Sequence, residues 1–170
     1  MLDGNVIVKS VRGISKAPLL TQPLSPQHLN AEALRLSPAI FQERVSGNHH
    51  LRVHCFGKKI LAVRIDSESL DWRGNENVPF VSYEVPDDLR VLILDVLRRL
   101  NLKMGIMDLK LDEHGTPVWL EINQQGQFLF VEGISGLKLA SAFAEFLYDE
   151  ASQNGRSSGS SDATTDTVID

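Results

Sequence analysis

The segment Gly105-Ile-Met-Asp-Leu-Lys-Leu-Asp-Glu-His-Gly-Thr-Pro-Val-Trp-Leu-Glu-Ile-Asn123 contains two stretches of alternating polarity, residues 107–112 and 117–123. The four residues between these stretches include Gly115, which suits a turn position. Alternation over this length is typical of a strand with one buried face. The segment therefore predicts a β-hairpin in which Asp112 pairs with Pro117 and Asp108 lies opposite Glu121.

The predicted register places three oxygen-bearing side chains on one face, because Asn123 lies two residues beyond Glu121 and Glu121 faces Asp108. Facing carboxylates repel each other and destabilise a sheet that lacks a counter-charge. Mg²⁺ takes oxygen ligands and is usually bound by one or two carboxylates together with water and substrate phosphates. The hairpin therefore predicts a Mg²⁺ site formed by Asp108, Glu121 and Asn123; the alternative is the solvated polar face of an ordinary hairpin.

Length and composition are those of one ordinary globular domain, with 170 residues, 42% hydrophobic and 23% charged. The net charge of -5 offers no basic surface for nucleic acid, and the single cysteine, Cys55, cannot form an internal disulfide. No apolar run approaches the about 20 residues of a membrane span, and the N-terminus lacks the pattern of a signal peptide. These features predict a cytoplasmic protein that binds neither nucleic acid nor membrane.

The N-terminal half predicts mostly strands. Residues 5–9 predict a strand, Ser25-Pro26 predicts the start of a helix that runs to about residue 36, and residues 39–45 predict a second strand. Residues 51–56 and 60–65 predict a second hairpin, and residues 66–85, rich in structure-breaking residues, predict an irregular segment.

The C-terminal half predicts two amphipathic helices around the first hairpin. One begins at Pro86 and has apolar residues at helical spacing, namely Leu89, Leu92, Ile93, Val96, Leu97 and Leu100. The other carries Leu139, Phe143, Phe146 and Leu147, and residues 151–170, mostly polar, predict a disordered tail. This order predicts an α+β fold with an antiparallel sheet flanked by helices.

Four short pieces, taken in their order along the chain, resemble the C-terminal half of an ATP-grasp ligase. They are Val6-Ile-Val-Lys9, Phe41-Gln-Glu-Arg-Val45, Leu51-Arg-Val53 with Ala62-Val-Arg-Ile65, and Asp108 with Glu121-Ile-Asn123. Two further motifs, Asp71-Trp-Arg73 and Asn123-Gln-Gln-Gly-Gln-Phe128, are most similar to the microviridin-type peptide maturases, which make graspetides. The resemblance extends over residues 5–148.

This resemblance implies a partial ATP-grasp domain over residues 1–150. Residues 1–45 would be the remainder of the small nucleotide subdomain and residues 46–150 the large subdomain, with the N-terminal domain missing. The implied cofactors are ATP and Mg²⁺, and the implied reaction phosphorylates a carboxylate. An amine or hydroxyl then attacks the acyl phosphate and gives an amide or ester bond in a ribosomally made peptide. The implied partner is an acidic peptide or protein substrate.

The resemblance also implies a role for each matched residue. Asp108, Glu121 and Asn123 would bind Mg²⁺ against the ATP phosphates. Arg64 alternates with the apolar residues Val63 and Ile65 in a predicted strand and so points away from them. It would contact a phosphate or the acyl phosphate, and Arg52, which has the same pattern, is a second candidate. The remaining assignments are Lys9, Gln42, Glu43, Arg44 and Val45 for nucleotide binding, and Asp71 and Arg73 for binding an acidic side chain of the substrate.

The sequence leaves other functions open. A ligase that adds glutamate to a protein C-terminus belongs to the same class, although the Asp71-Trp-Arg73 motif favours the maturase. A truncated, non-catalytic remnant for nucleotide binding or scaffolding is a second alternative. A half-enzyme completed by a partner segment or by a homodimer is a third.

Overall fold

The computed structural model describes residues 5–11, 20–75 and 77–158. The secondary structure alternates short strands with four helices, two of which follow each other at the C-terminal end. In chain order the elements are β1 (Val6–Ser10), β2 (Gln22–Pro23), a 3₁₀ turn (Pro26–Leu29), α1 (Ala31–Leu36), β3 (Ala39–Glu43), β4 (His49–Phe56), β5 (Lys59–Asp66), a 3₁₀ turn (Trp72–Gly74), β6 (Phe80–Tyr83), α2 (Asp87–Arg99), β7 (Met104–Leu111), β8 (Pro117–Asn123), α3 (Leu129–Ser135) and α4 (Leu139–Ser158).

The strands form two antiparallel sheets. The small sheet has the order β2-β1-β3, and the large sheet has the order β6-β5-β4-β7-β8. The small sheet ends at residue 43 and the large sheet begins at residue 49. The α+β architecture with antiparallel pairing is therefore confirmed.

Both faces of the large sheet are covered by helices. Helix α2 packs on one face, where its buried residues Leu89, Ile93 and Leu97 join a core with apolar side chains of β4, β5 and β7. Helices α3 and α4 cover part of the other face, where Val131, Leu139 and Ala142 contact a second core. Side chains along one strand alternate between these two cores, so neighbouring residues of a strand belong to different layers.

Three predicted elements are confirmed with different limits. The helix expected from residue 26 to 36 is divided at Asn30, where an extended backbone separates the 3₁₀ turn from α1. The strand expected to reach Val45 ends at Glu43. In α2 the buried stripe is narrower than predicted, because Leu92 is 62% exposed and Leu100 is 52% exposed.

Three elements, β2, β6 and α3, were not predicted. Strand β6 lies within the segment expected to be irregular, and it pairs with β5 at the edge of the large sheet. Helix α3 occupies residues 129–135, which the sequence did not assign to a helix. The predicted disordered tail is wrong for residues 151–158, which continue α4, and its remaining residues lie outside the described part of the chain.

Within the described ranges, no helix combines the length and the apolar character that crossing a bilayer requires.

Candidate functional site

The C-terminal hairpin pairs Asp108 with Glu121, as predicted. The turn end differs, because Leu111 rather than Asp112 lies opposite Pro117. The Asp112 side chain accepts hydrogen bonds from the backbone N–H groups of the turn, at 2.9 Å from His114 and 2.8 Å from Thr116, so this residue closes the turn instead of extending the ladder. A β-bulge, with Leu120 as the extra residue, then restores the predicted pairing at Asp108.

This hairpin forms one side of a cleft of about 940 Å³. Residues from both sheets and from the loop after β5 line it. Those that the sequence singled out are Lys9, Arg52, Asp71, Arg73, Asp108, Glu121 and Asn123. The volume falls in the range of small-molecule binding sites in proteins.

Arg52 is the most constrained cation of the cleft. Its guanidinium donates to both carboxylate oxygens of Asp108, at 2.8 and 2.9 Å, and to the backbone carbonyl of Gln127, at 2.9 Å. It also lies over the ring of Phe130, 5.7 Å from the centroid. The side chain is only 12% exposed, and its Nε has no partner among the described residues. A buried cation with a spare donor is suited to an anionic ligand.

Opposing electrostatic effects act on the carboxyl group of Asp108. Burial raises the pKa of its carboxyl, the charge of Arg52 lowers it, and the charge of Glu121 raises it further. The net shift of the pKa is upward, so ionisation of Asp108 is less favourable here than in a free aspartate. A bound cation would reverse this, because it stabilises the charged form of both Asp108 and Glu121.

The donor set fits a hard divalent cation. Asp108 and Glu121 supply carboxylate oxygens, and Asn123 supplies an amide oxygen that accepts a hydrogen bond from the N–H of Gln125 at 3.0 Å. Across the described residues no group of three histidine, cysteine or acidic side chains is placed to bind a metal. Two carboxylates and an amide are oxygen donors of the kind that Mg²⁺ accepts when water and phosphate supply its other ligands.

Lys9 crosses from the small sheet to this hairpin. Its ammonium lies 4.0 Å from the carboxylate of Glu121, and both side chains line the cleft. The pair links the two sheets electrostatically at the end of the cleft where the carboxylates lie.

Arg64 does not lie in the cleft, and this corrects the sequence-based interpretation. Arg52 pairs with Val63, so Arg64, the next residue of β5, points to the opposite face of the sheet. There it forms two hydrogen bonds to the carboxylate of Asp66, at 2.8 and 3.0 Å. The structure therefore brings Arg52, but not Arg64, to the other candidate residues.

Asp71 and Arg73 meet at the rim of the cleft. The carboxylate of Asp71 accepts from the Arg73 guanidinium at 2.8 and 2.5 Å and from the backbone N–H of Thr21 at 2.9 Å. Burial opposes ionisation of Asp71, but these hydrogen bonds outweigh it and lower the pKa to about 2. Asp71 thus holds the guanidinium of Arg73 in one orientation, while half of the Arg73 side chain stays exposed. The hydrogen bond to Asp71, and further the charges of Glu121 and Asp108, raise the pKa of Arg73.

The predicted nucleotide-binding segment, residues 42–45, does not contribute side chains to the cleft lining. One side of its backbone lies at the edge of the small sheet. The N–H of Arg44 donates to the carbonyl of Asn5 at 2.8 Å, so the backbone groups of Glu43 point away from β1. Strand β3 is an edge strand, and within the described residues that side of it has no strand partner.

Sequence reasoning assigned no role to three residues that line the cleft, Gln127, Phe130 and His50, or to Lys110, which pairs with His50. The carbonyl of Gln127 and the ring of Phe130 contact Arg52; Gln127 lies within the Asn123–Phe128 motif and Phe130 follows it by two residues, which was the only signal for them. His50 lines the cleft, and Lys110 lies opposite it in the ladder between β4 and β7. A lysine two residues after Asp108, on the same face of an alternating strand, was the available signal for the last of these.

Comparison with solved structures finds the same fold in several peptide-modifying enzymes. The macrocyclase MdnC from Microcystis aeruginosa MRC, bound with precursor peptide MdnA, is 24% identical, with a TM-score of 0.72 over 86% of this chain and 48% of that chain. The chain has the fold of the ATP-grasp ligases. A Chryseobacterium gregarium RiPP-associated ATP-grasp ligase, in complex with ADP and a leader and core peptide, is 21% identical with a TM-score of 0.72 over 85% of this chain and 48% of that chain.

The ATP-grasp ligase PsnB, complexed with a phosphomimetic variant of minimal precursor, Mg and ADP, is 23% identical with a TM-score of 0.66. That match covers 86% of this chain and 46% of PsnB. The present chain therefore spans about half the length of the ATP-grasp structures it matches. No protein-family model and no curated protein sequence matches it.

Proposed function

We propose that this ATP-grasp chain belongs to a Mg²⁺- and ATP-dependent carboxylate ligase that forms ester or amide bonds in a ribosomally made peptide. The observation that carries the proposal is the convergence of Arg52, Asp108, Glu121 and Lys9 in one cleft. The ATP-grasp structures it resembles, solved with ADP, Mg and precursor peptides, support the same assignment.

The carboxylate end of the cleft is proposed to hold the phosphates. Asp108, Glu121 and Asn123 would bind Mg²⁺, and Arg52 and Lys9 would neutralise phosphate oxygens, which is the main requirement for phosphoryl transfer. Bound Mg-ATP would supply a phosphoryl group to a substrate carboxylate, and an amine or hydroxyl would then displace phosphate from the resulting acyl phosphate. Of the two arginines that the sequence offered, we assign the phosphate contact to Arg52, because Arg64 faces away from the cleft.

Arg73 is proposed to bind the carboxylate of an acidic peptide side chain. Its guanidinium is fixed by Asp71 at the rim and keeps half of its surface exposed. A guanidinium held in this way can bind a second carboxylate through two hydrogen bonds with little loss of side-chain entropy. The backbone groups of Glu43 and Val45 are proposed to contact the base, with Gln42 and Arg44 beside them.

Carboxylate activation can be detected by trapping with hydroxylamine. The chain, Mg-ATP and a glutamate-rich peptide should give a peptide hydroxamate in the same amount as ADP, and Asp108→Asn should abolish both products. Release of ADP without hydroxamate would contradict the proposed acyl phosphate, because water rather than a carboxylate would then be the phosphoryl acceptor.

A further inference from the structure

His54 is a buried histidine next to the cleft. It follows Arg52 by two residues in β4, so both side chains point to the same face of the large sheet. Arg52 lines the cleft, whereas His54 is 0% exposed and does not line it. Burying a polar group is costly unless it forms hydrogen bonds, so the hydrogen bonds open to His54 indicate its role.

The imidazole of His54 offers one free acceptor. Its Nδ1 lies 3.3 Å from the backbone carbonyl of Leu61, and because a carbonyl only accepts, Nδ1 carries the proton of this hydrogen bond. Burial first, and the charge of Arg52 second, lower the pKa of the imidazole to about 4, so the ring is neutral at neutral pH. The other ring nitrogen, Nε2, is then unprotonated, and it has no hydrogen-bond partner within the described ranges.

Arg52 offers the matching donor. The terminal nitrogens of its guanidinium donate to Asp108 and to the carbonyl of Gln127, but its Nε is buried and has no partner in the described part of the chain. Two residues of strand separate the Cα atoms of Arg52 and His54 by about 7 Å, a distance that two long side chains can span. A donor without an acceptor and an acceptor without a donor therefore occupy neighbouring positions on one face of β4.

The segment between β8 and α3 covers the sheet on either side of His54. A Cβ on Gly126 would lie 2.8 Å from the side chain of Ile106, which is opposite His54 in the ladder with β7. The ring of Phe128 packs 5.2 Å from that of Phe56, two residues beyond His54 in β4. Because this cover excludes water, a hydrogen bond formed beneath it is stronger than one at the surface.

We infer that His54 is a positioning residue for Arg52: its Nε2 accepts the Nε–H of Arg52 when the guanidinium turns from Asp108 to a phosphate. This inference rests on the proposed function. The hydrogen bond holds the guanidinium in one orientation, so its terminal nitrogens are presented to the phosphate with little further loss of side-chain entropy. His54 touches no ligand and acts only through Arg52.

Two substitutions separate the two ring nitrogens of His54. The amide of glutamine reaches the position of Nε2 and can accept from Arg52, whereas that of asparagine reaches only the position of Nδ1 and can still donate to Leu61. The wild-type chain, His54→Gln and His54→Asn are titrated calorimetrically with the Mg²⁺ complex of a non-hydrolysable ATP analogue. His49→Asn is the matched control, since His49 lies in the same strand on the opposite face and pairs with Asp66.

His54→Asn should weaken the analogue about tenfold, the loss expected for one hydrogen bond to a charged group. His54→Gln and His49→Asn should retain the wild-type affinity. In the Arg52→Gln background, His54→Asn should cause no further loss, because the donor is already absent. A purely structural role of His54 predicts the reverse order, since asparagine keeps the hydrogen bond to Leu61 and glutamine does not.

Nitrogen NMR of the wild-type imidazole tests the same hydrogen bond if a variant fails to fold. The Nδ1 of His54 should carry the proton, and the Nε2 signal should shift when the Mg²⁺ complex of the analogue is added, because its lone pair then accepts a hydrogen bond. A proton on Nε2, or an Nε2 signal that the ligand leaves unchanged, would overturn the inference.

Two affinity results would also overturn it while leaving the proposed function intact. One is an equal affinity of His54→Asn and His54→Gln for the analogue. The other is a loss in His54→Asn that persists in the Arg52→Gln background, which would show that His54 does not act through Arg52. A wild-type chain that does not bind the analogue would instead refute the proposed function, and this inference with it.

Discussion

At the scale of single residues, Arg52 would couple the binding of metal to the binding of phosphate in the cleft. Its guanidinium is hydrogen-bonded to the carboxylate of Asp108, and the proposed function gives the same guanidinium a contact to phosphate. A divalent cation alone must therefore compete with Arg52 for Asp108. A phosphate that draws Arg52 away would free the carboxylate, so metal and nucleotide should bind more tightly together than separately.

Replacement of Arg52 should separate these two effects. In Arg52→Gln, Mn²⁺ measured alone by electron paramagnetic resonance should bind several-fold more tightly, because Asp108 and Glu121 lose their competing cation. The same variant should bind the Mg²⁺ complex of a non-hydrolysable ATP analogue about tenfold more weakly, since a charge-assisted contact to phosphate is lost.

Arg64→Gln provides the matched control for that experiment. Arg64 lies in the neighbouring strand on the opposite face and pairs with Asp66, so its removal should alter neither metal nor nucleotide affinity. If Arg64→Gln weakened nucleotide binding as much as Arg52→Gln, the assignment of the phosphate contact to Arg52 rather than Arg64 would be wrong.

The sequence could not distinguish these two arginines, for a physical reason. Each alternates with apolar neighbours that are buried, Arg52 with Leu51 and Val53, and Arg64 with Val63 and Ile65. Helices cover both faces of the large sheet, so both strands carry buried apolar residues on either side of an arginine. Alternation shows which residues share a face, but only the packing of the helices shows which face borders the cleft.

At the scale of elements, the turn that begins the second strand of the hairpin determines where its carboxylates lie. Gly115 has a φ of +78°, and a Cβ at this position would meet no atom within 4 Å. Any cost of a side chain there is therefore conformational, because the left-handed region disfavours residues with a Cβ.

Gly115→Ala should lower the free energy of unfolding by about 1 kcal/mol, as measured by urea denaturation. Gly133→Ala is the matched control, because Gly133 lies inside α3 and also has open space at its Cβ position. That substitution should stabilise the chain by about 0.5–1 kcal/mol through helix propensity. Equal effects of the two alanines would contradict the turn conformation described here.

Asp71 connects the loop after β5 to the residue before β2, because its carboxylate accepts a hydrogen bond from the N–H of Thr21. Because the folded pKa of Asp71 is about 2, below its ordinary value of 3.8, its ion pair stabilises the fold above pH 4 and is lost as the pH falls through about 2. Asp71→Asn should therefore destabilise the chain at pH 6 by about 1–2 kcal/mol, after allowance for the exposure of Arg73.

Thermal melting of Asp71→Asn and of the wild-type chain from pH 6 down to pH 3 provides the test. The difference in stability should narrow as the pH falls below about 4, because Asp71 of the unfolded wild-type chain, with an ordinary pKa of 3.8, then takes up a proton while the folded carboxylate stays ionised. A difference that stayed constant with pH would show that the loop is held by contacts other than this ionised carboxylate.

Elements with strong periodicity were predictable, and elements defined by tertiary contacts were not. The hairpin of β7 and β8 and the helix α2 follow from alternation and from helical spacing. Strand β6 has four residues and is stabilised by pairing with β5, so its own sequence carries little signal. Helix α3 has Phe128 at its N-cap, and this side chain cannot form a capping hydrogen bond, so the usual start signal is absent.

At the scale of the whole molecule, the candidate site exists only where the two sheets approach each other. Lys9 comes from the small sheet, Arg52, Asp108 and Glu121 come from the large sheet, and Arg73 comes from the loop between β5 and β6. The order of the motifs predicted that these segments belong together. Their convergence depends on how the sheets pack, which no local pattern encodes.

The central claim is that this arrangement binds a nucleotide through its phosphates and Mg²⁺. Calorimetric titration of the chain with a non-hydrolysable ATP analogue, with and without Mg²⁺, tests it most directly. The account predicts binding that Mg²⁺ strengthens at least tenfold, and loss of this Mg²⁺ dependence in Glu121→Gln without a lower melting temperature, because Glu121 is exposed and repels Asp108. Absence of binding at millimolar nucleotide, or binding that Mg²⁺ does not affect, would contradict it.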